Sequence, residues 1–180
     1  MAKSFFSVEL KTKPYLSKFM KCIHGEHLQF HISDDFGRWI AICLEKNVLP
    51  DMNKQTVTNY LVDYTTTIKL KFPYHWLLHS YYGCTIKDKN TIFINKEIQH
   101  RFEQKLYLYV ERHSIPDKRY KKLNEAIESF AAKYNIIIDE DISWDALVKL
   151  VYRLRIKHDN DIYNTPEHRK EEIYQGILFN

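Results

Sequence analysis

From Thr91 to His113 the apolar residues Ile94, Ile98, Phe102, Leu106, Tyr109 and Val110 recur at helical intervals, most of them four apart. That rhythm predicts one long α-helix. The chain differs in character on its two sides. Before it, segments of period two alternate with short helical ones. After it, two further amphipathic stretches follow each other closely.

On the N-terminal side, SFFSVEL (residues 4–10) alternates as a strand does. TKPYLSKFMKCIHG predicts a helix with Thr12 as cap, Pro14 in the first turn and Gly25 as its stop. HLQFHIS reads as a strand with Leu28, Phe30 and Ile32 on one face. RWIAICLEK, capped by Ser33 or Asp34, predicts a helix apolar enough to lie at the centre of the core. TVTNYLVDYTTTIKLKF predicts one long strand or a hairpin, with Ile68, Leu70 and Phe72 facing one way and Lys69 and Lys71 the other. Pro73 is expected to open a short helix closed by Gly83.

Beyond the long helix, SIPDKR marks a break, because the residue before a proline resists helix. RYKKLNEAIESFAAKYN and SWDALVKLVYRLRIKHD are both amphipathic, the second with Ser143 as cap and Asp145 in its first turn. The expected fold is α+β: a small mixed body with a short sheet and helices over residues 1–113, a helical hairpin over 114–159 of the kind that can serve as a helix-turn-helix, and a tail over 160–180.

Composition narrows the function. Only 4 glycines occur in 180 residues, and neither GxGxxG nor GxxxxGK[ST] is present, which disfavours the two common nucleotide-binding loops. The 3 cysteines, Cys22, Cys43 and Cys84, are odd in number and widely spaced, as reduced thiols would be. No apolar run reaches the roughly 20 residues that span a bilayer, and no signal peptide is visible at the start. A soluble cytoplasmic protein with no membrane partner is expected. Residues 1–90 carry 12 Lys/Arg against 8 Asp/Glu and residues 91–180 carry 15 against 15, so any basic surface must arise by local segregation.

The stretch CIHGEHLQFHISDD concentrates metal-ligating residue types. On a strand, His27 and His31 would stand roughly 13 Å apart, too far to share one ion. His75 and His79 form an HxxxH pair, but Trp76, Leu77 and Leu78 lie between them and no Glu is there to act as base. Asp34 and Asp35 diverge on a helix, and an aspartate at a helix start has a capping reason to be there. No catalytic residue, metal or cofactor is expected. A metal-assisted hydrolase using His24, His27, His31, His75 or His79 with Asp34 or Asp35 is the weakest of three readings.

The hairpin is the stronger candidate. On its second helix Trp144, Leu147, Val148, Val151 and Leu154 share one face, while Lys149, Tyr152, Arg153, Ile156 and Lys157 share the other, with Arg155 at the margin. Lys118, Arg119, Lys121 and Lys122 open the partner helix. Cations with an interleaved tyrosine suit phosphate contact, so Lys118, Arg119, Lys121, Lys122, Lys149, Tyr152, Arg153, Arg155 and Lys157 are the candidate nucleic-acid-binding residues, with DNA the expected partner. Basic residues in a last helical turn also complement the helix dipole with no ligand at all. The competing reading is an assembly or adaptor protein binding a partner or itself through Tyr81, Tyr82, Tyr107, Tyr152 and Tyr163.

The order KPYLSKF, FGRWIAICLEK and NIIIDEDISWDALVKLVYRLR resembles small uncharacterised proteins encoded by phages, plasmids and integrated elements of Bacteroidetes bacteria. The resemblance covers most of the chain. It implies a mobile-element setting, in which compact basic proteins handle DNA or assemble with other element proteins, and it carries no activity over to any residue.

Overall fold

In the computed structural model of the chain, which describes residues 5–31, 34–45, 61–74, 86–114 and 120–163, a 27-residue helix forms the spine. The described elements run β1 (Phe5–Thr12), α1 (Pro14–His24), α2 (Asp35–Glu45), β2 (Thr66–Pro73), α3 (Asp88–Ser114), α4 (Tyr120–Lys133) and α5 (Trp144–Tyr163). The fold is mixed α+β, with one two-stranded antiparallel sheet and, among the described residues, five helices.

The expected long helix is α3, and Ile94, Ile98, Phe102, Leu106 and Val110 are each fully buried along it. Their spacing explains how one helix serves several neighbours. Each step of four residues overshoots a full turn by about 40°, so the apolar stripe winds around the helix by roughly 160° between Ile94 and Val110. The N-terminal half of α3 meets β1 and α2, through Asn95 with Thr12, Asn90 with Cys43 and Phe93 with Trp39. Its middle meets α1, where the Phe102 ring lies edge-on to Tyr15 at 5.0 Å and Phe19 at 5.3 Å. Its C-terminal half meets α4 through Phe130, and α5 through Arg155 and His158. One continuous buried cluster results, from Val8 to Val151.

The sheet pairs Phe5 with Pro73 through Thr12 with Thr66. Ile68, Leu70 and Phe72 point into the core and Lys69 points out, as their alternation predicts. The long strand expected from Thr56 is shorter: β2 begins at Thr66, a turn occupies 62–63, and residues 56–60 lie outside the described residues. Pro73 ends β2 rather than opening a helix, and the helix expected after it lies outside the described residues.

Local chemistry corrects two further expectations. Thr12 does not cap α1. Its buried hydroxyl donates to Asn95 Oδ1 at 2.5 Å, and Lys13 takes the cap position with no side-chain bond. Residues 27–31 of HLQFHIS do not form a strand, and Ile32 and Ser33 lie outside the described residues: after Gly25 (φ 82) stops α1, the chain turns, Leu28 adopts φ 43, and only Gln29 bridges to Lys71. Leu28 and Phe30 are still buried, so the apolar alternation was real while the ladder was not. Asp34 caps α2 by accepting from Phe36 N (3.0 Å) and Gly37 N (3.2 Å). On α2, Ile40, Cys43 and Leu44 are buried but Ile42 is 51% exposed, so the helix lines the core instead of crossing it. No described helix is long and apolar enough to cross a membrane.

Candidate nucleic-acid interface

The segment between α4 and α5 is built by its acids. Asn135 and Asp139 adopt positive φ (54° and 69°), and Ile138 bridges to Ile142. Asp141 Oδ2 accepts from Ile137 N at 2.7 Å and pairs with Lys18 of α1 at 2.5 Å. Asp139 Oδ1 accepts from Trp144 N at 2.9 Å, and Ser143 Oγ accepts from Ala146 N at 3.3 Å. Two side chains therefore satisfy the first N–H groups of α5, and Lys18 ties that start to α1.

Once fixed there, α5 presents two faces. Leu147, Leu150 and Val151 are buried, with Val148 and Leu154 half-buried beside them. Lys149, Tyr152, Arg153, Ile156 and Lys157 are exposed. From Ala146 to His158 the helix carries four cations and no carboxylate. Lys149 pairs with Asp145 one turn back at 2.6 Å, and both groups are about 70% exposed (69% and 72%), so water or a phosphate can replace the pair at little cost. Arg153 Nε donates to the Lys149 carbonyl at 3.4 Å. A shallow groove of about 590 Å³ runs along this face past Asp145, Lys149, Tyr152, Arg153 and Ile156.

Arg155 stands apart from the other cations. Half-buried at the margin, it donates from Nε to Glu111 Oε1 of α3 at 2.7 Å. Lys121 and Lys122 lie in the first turn of α4, and Lys118 and Arg119 lie outside the described residues. Of the tyrosines read as interface candidates, Tyr107 is half-buried with its ring 4.9 Å from His158, Tyr152 is exposed, Tyr163 ends α5, and Tyr81 and Tyr82 lie outside the described residues.

The histidines separate. His27 and His31 are exposed, while His75 and His79 lie outside the described residues. His24 is half-buried against the rings of Phe30 (5.1 Å) and Phe36 (5.7 Å), with Nδ1 3.6 Å from Asp34 Oδ2. Burial pushes the His24 imidazole below its ordinary range, outweighing the opposing pull of Asp34. Asp35 pairs with Arg38. Among the described residues, no three His, Cys, Asp or Glu side chains group as metal ligands would.

A second concavity, of about 440 Å³, lies between α1, α3 and α5 and shares Ala146 and Arg153 with the groove. On its α3 wall Tyr15 donates its hydroxyl proton to Gln99 Oε1, and Gln99 Nε2 donates to Glu103 Oε1 at 2.7 Å. Burial and the Glu103 carboxylate raise the Tyr15 phenol well above its ordinary value, so it stays a proton donor. Gln99 and Glu103 stand four apart on α3, but no sequence spacing ties Tyr15 of α1 to them. The chain matches no protein-family model, no curated protein and no solved structure.

Proposed function

We propose that this protein is a non-catalytic DNA-binding accessory protein of a mobile element, contacting nucleic acid through the basic face of its C-terminal helical hairpin, in the manner of a helix-turn-helix. One observation carries the reading. The exposed side of α5 bears Lys149, Arg153 and Lys157 around Tyr152 while its opposite side is buried, so the cations are held on one rigid face. Such a face suits backbone phosphates, with the tyrosine as a hydrogen-bonding or stacking partner. The test is fluorescence anisotropy of labelled double- and single-stranded DNA across a salt series. A variant with Lys149, Arg153 and Lys157 changed to Ala, and Arg155 kept, runs alongside. The expected result is salt-sensitive binding that the folded variant loses. No binding by the wild type at low salt overturns the reading.

A second reading is favoured by Ile156, which is 60% exposed in the middle of the same face. An apolar residue there suits packing against a protein segment, as in an assembly or adaptor protein. Size-exclusion chromatography with light scattering separates the two: self-association abolished by Ile156→Ser, with DNA binding absent, supports assembly.

A further inference from the structure

The cleft between α1, α3 and α5 has one apolar and one polar wall. Leu16, Ile142, Ala146 and Leu150 supply aliphatic surface. Facing them, α3 supplies Gln99, whose amide is held from both ends by Tyr15 and Glu103. A primary amide has two N–H donors and two acceptor lone pairs on its oxygen. Tyr15 takes one lone pair and Glu103 takes one N–H. Gln99 therefore keeps one acceptor lone pair and one N–H donor, and Glu103 fixes the amide's orientation, because the reversed amide would turn its oxygen toward that carboxylate.

That arrangement has a specific complement. A glutamine amide pairs in bidentate fashion with adjacent donor and acceptor atoms on a base edge, and adenine is its usual match. The apolar wall suits the face of a planar ring, and the volume of about 440 Å³ falls in the range of small-ligand sites. Arg153 lines both the cleft and the outer groove, where a phosphate would leave the cleft. Of the two acids that line the cleft, Asp63 lies 3.6 Å from Lys13, and Glu103 accepts from the Gln99 amide while keeping its own charge.

We propose that this cleft binds an adenine base against Gln99, carried by a free nucleotide or by an unpaired residue of a single strand whose backbone follows Arg153 and Lys149 along the groove. The proposal rests on the nucleic-acid reading for the strand and on the cleft alone for the base. It implies a preference for adenine-rich single strands over duplex.

The experiment measures anisotropy of labelled oligodeoxyadenylate, oligodeoxythymidylate and a mixed duplex, with AMP titrated separately by calorimetry. Wild type, Gln99→Leu and His100→Trp are compared after circular dichroism confirms that each is folded. His100 is exposed and lines the cleft from α3 but not the outer groove, so His100→Trp narrows the cleft, leaves the Tyr15–Gln99–Glu103 chain untouched and covers the case in which Gln99→Leu fails to fold. The expected result is tighter binding of the adenylate strand than of the thymidylate strand, reduced roughly tenfold by either substitution with duplex binding unchanged. AMP binding with the same sensitivity supports the site and assigns it to free nucleotides. Duplex and both single strands bound alike, with the two variants unaltered, overturns the cleft and leaves the basic face standing. AMP bound while no strand binds supports the cleft and overturns the basic face. No binding of AMP or of any strand overturns both.

Discussion

Arg155 of α5 and Glu111 of α3 form a half-buried ion pair, Nε to Oε1 at 2.7 Å, next to the contact between the Tyr107 and His158 rings. The pair lies on the seam between the two helices, so it sets how α5 sits on the spine. Its role differs from that of Lys149, Arg153 and Lys157, which stand on the open face. Arg155→Ala is expected to cost about 1 kcal/mol of folding stability, since both groups keep some solvent access. Removing Lys157 should leave stability nearly unchanged. Thermal denaturation of the two single variants checks this, and equal melting temperatures would show that the seam does not depend on the pair.

Gly37 in the first turn of α2 lies against Phe30. A Cβ built on Gly37 would stand 2.7 Å from the Phe30 Cβ. Helix propensity alone favours alanine over glycine there by about 1 kcal/mol. The clash should win, because the Phe30 Cβ is fixed by its own backbone and its ring is stacked on Phe72 at 5.4 Å. Gly37→Ala is expected to lower stability by about 1–3 kcal/mol. Urea unfolding decides the sign, and a higher midpoint would mean that Phe30 gives way easily.

His24 makes stability fall in mild acid. Burial holds its imidazole below the ordinary value of 6.5, assisted by Arg101 and opposed by Asp34. The unfolded chain therefore takes up a proton at a pH where the folded chain does not. Stability from this group is full above about pH 6.5 and is lost as pH falls toward the lower, folded value. His24→Gln should flatten the stability profile below neutral pH. Denaturant melts at several pH values test it, and an unchanged slope in the variant would assign the acid sensitivity to other groups.

What the sequence disclosed depended on whether one periodicity decided the outcome. α3, α4 and α5 were legible because each buries a stripe whose helical repeat is written in consecutive residues. The alternation of Ile68, Leu70 and Phe72 was legible for the same reason. Leu28 and Phe30 show the limit: burial imposed the strand-like pattern, but the positive φ at Leu28 and the preceding turn prevent a ladder, and no residue type there announces it. Thr12 shows another. Its cap-like position was visible, whereas its partner Asn95 lies 83 residues away. The basic face of α5 needed only one helix to be read. The Tyr15–Gln99–Glu103 chain needed two helices brought together, so it became visible only in three dimensions.

Under the proposed DNA-binding role, the salt dependence of binding should count the cations on the open face. Each phosphate neutralised by a Lys or Arg releases condensed counterions, and the slope of log K against log salt is about −0.9 per contact on duplex DNA. Lys149, Arg153 and Lys157 together imply a slope of roughly −2.7 from the α5 face. Lys149 has to exchange Asp145 for a phosphate, which an exposed pair permits at little cost. Single substitutions to Ala should each make the slope shallower by about 0.9, with affinity at low salt falling several-fold. Arg155→Ala should leave the slope nearly unchanged, because its guanidinium is engaged with Glu111. Anisotropy titrations at several salt concentrations give the slope directly. A slope insensitive to Lys149, Arg153 and Lys157 would show that any DNA binding lies elsewhere on the chain, and the remaining candidates Lys118, Arg119, Lys121 and Lys122 would then be the next to substitute.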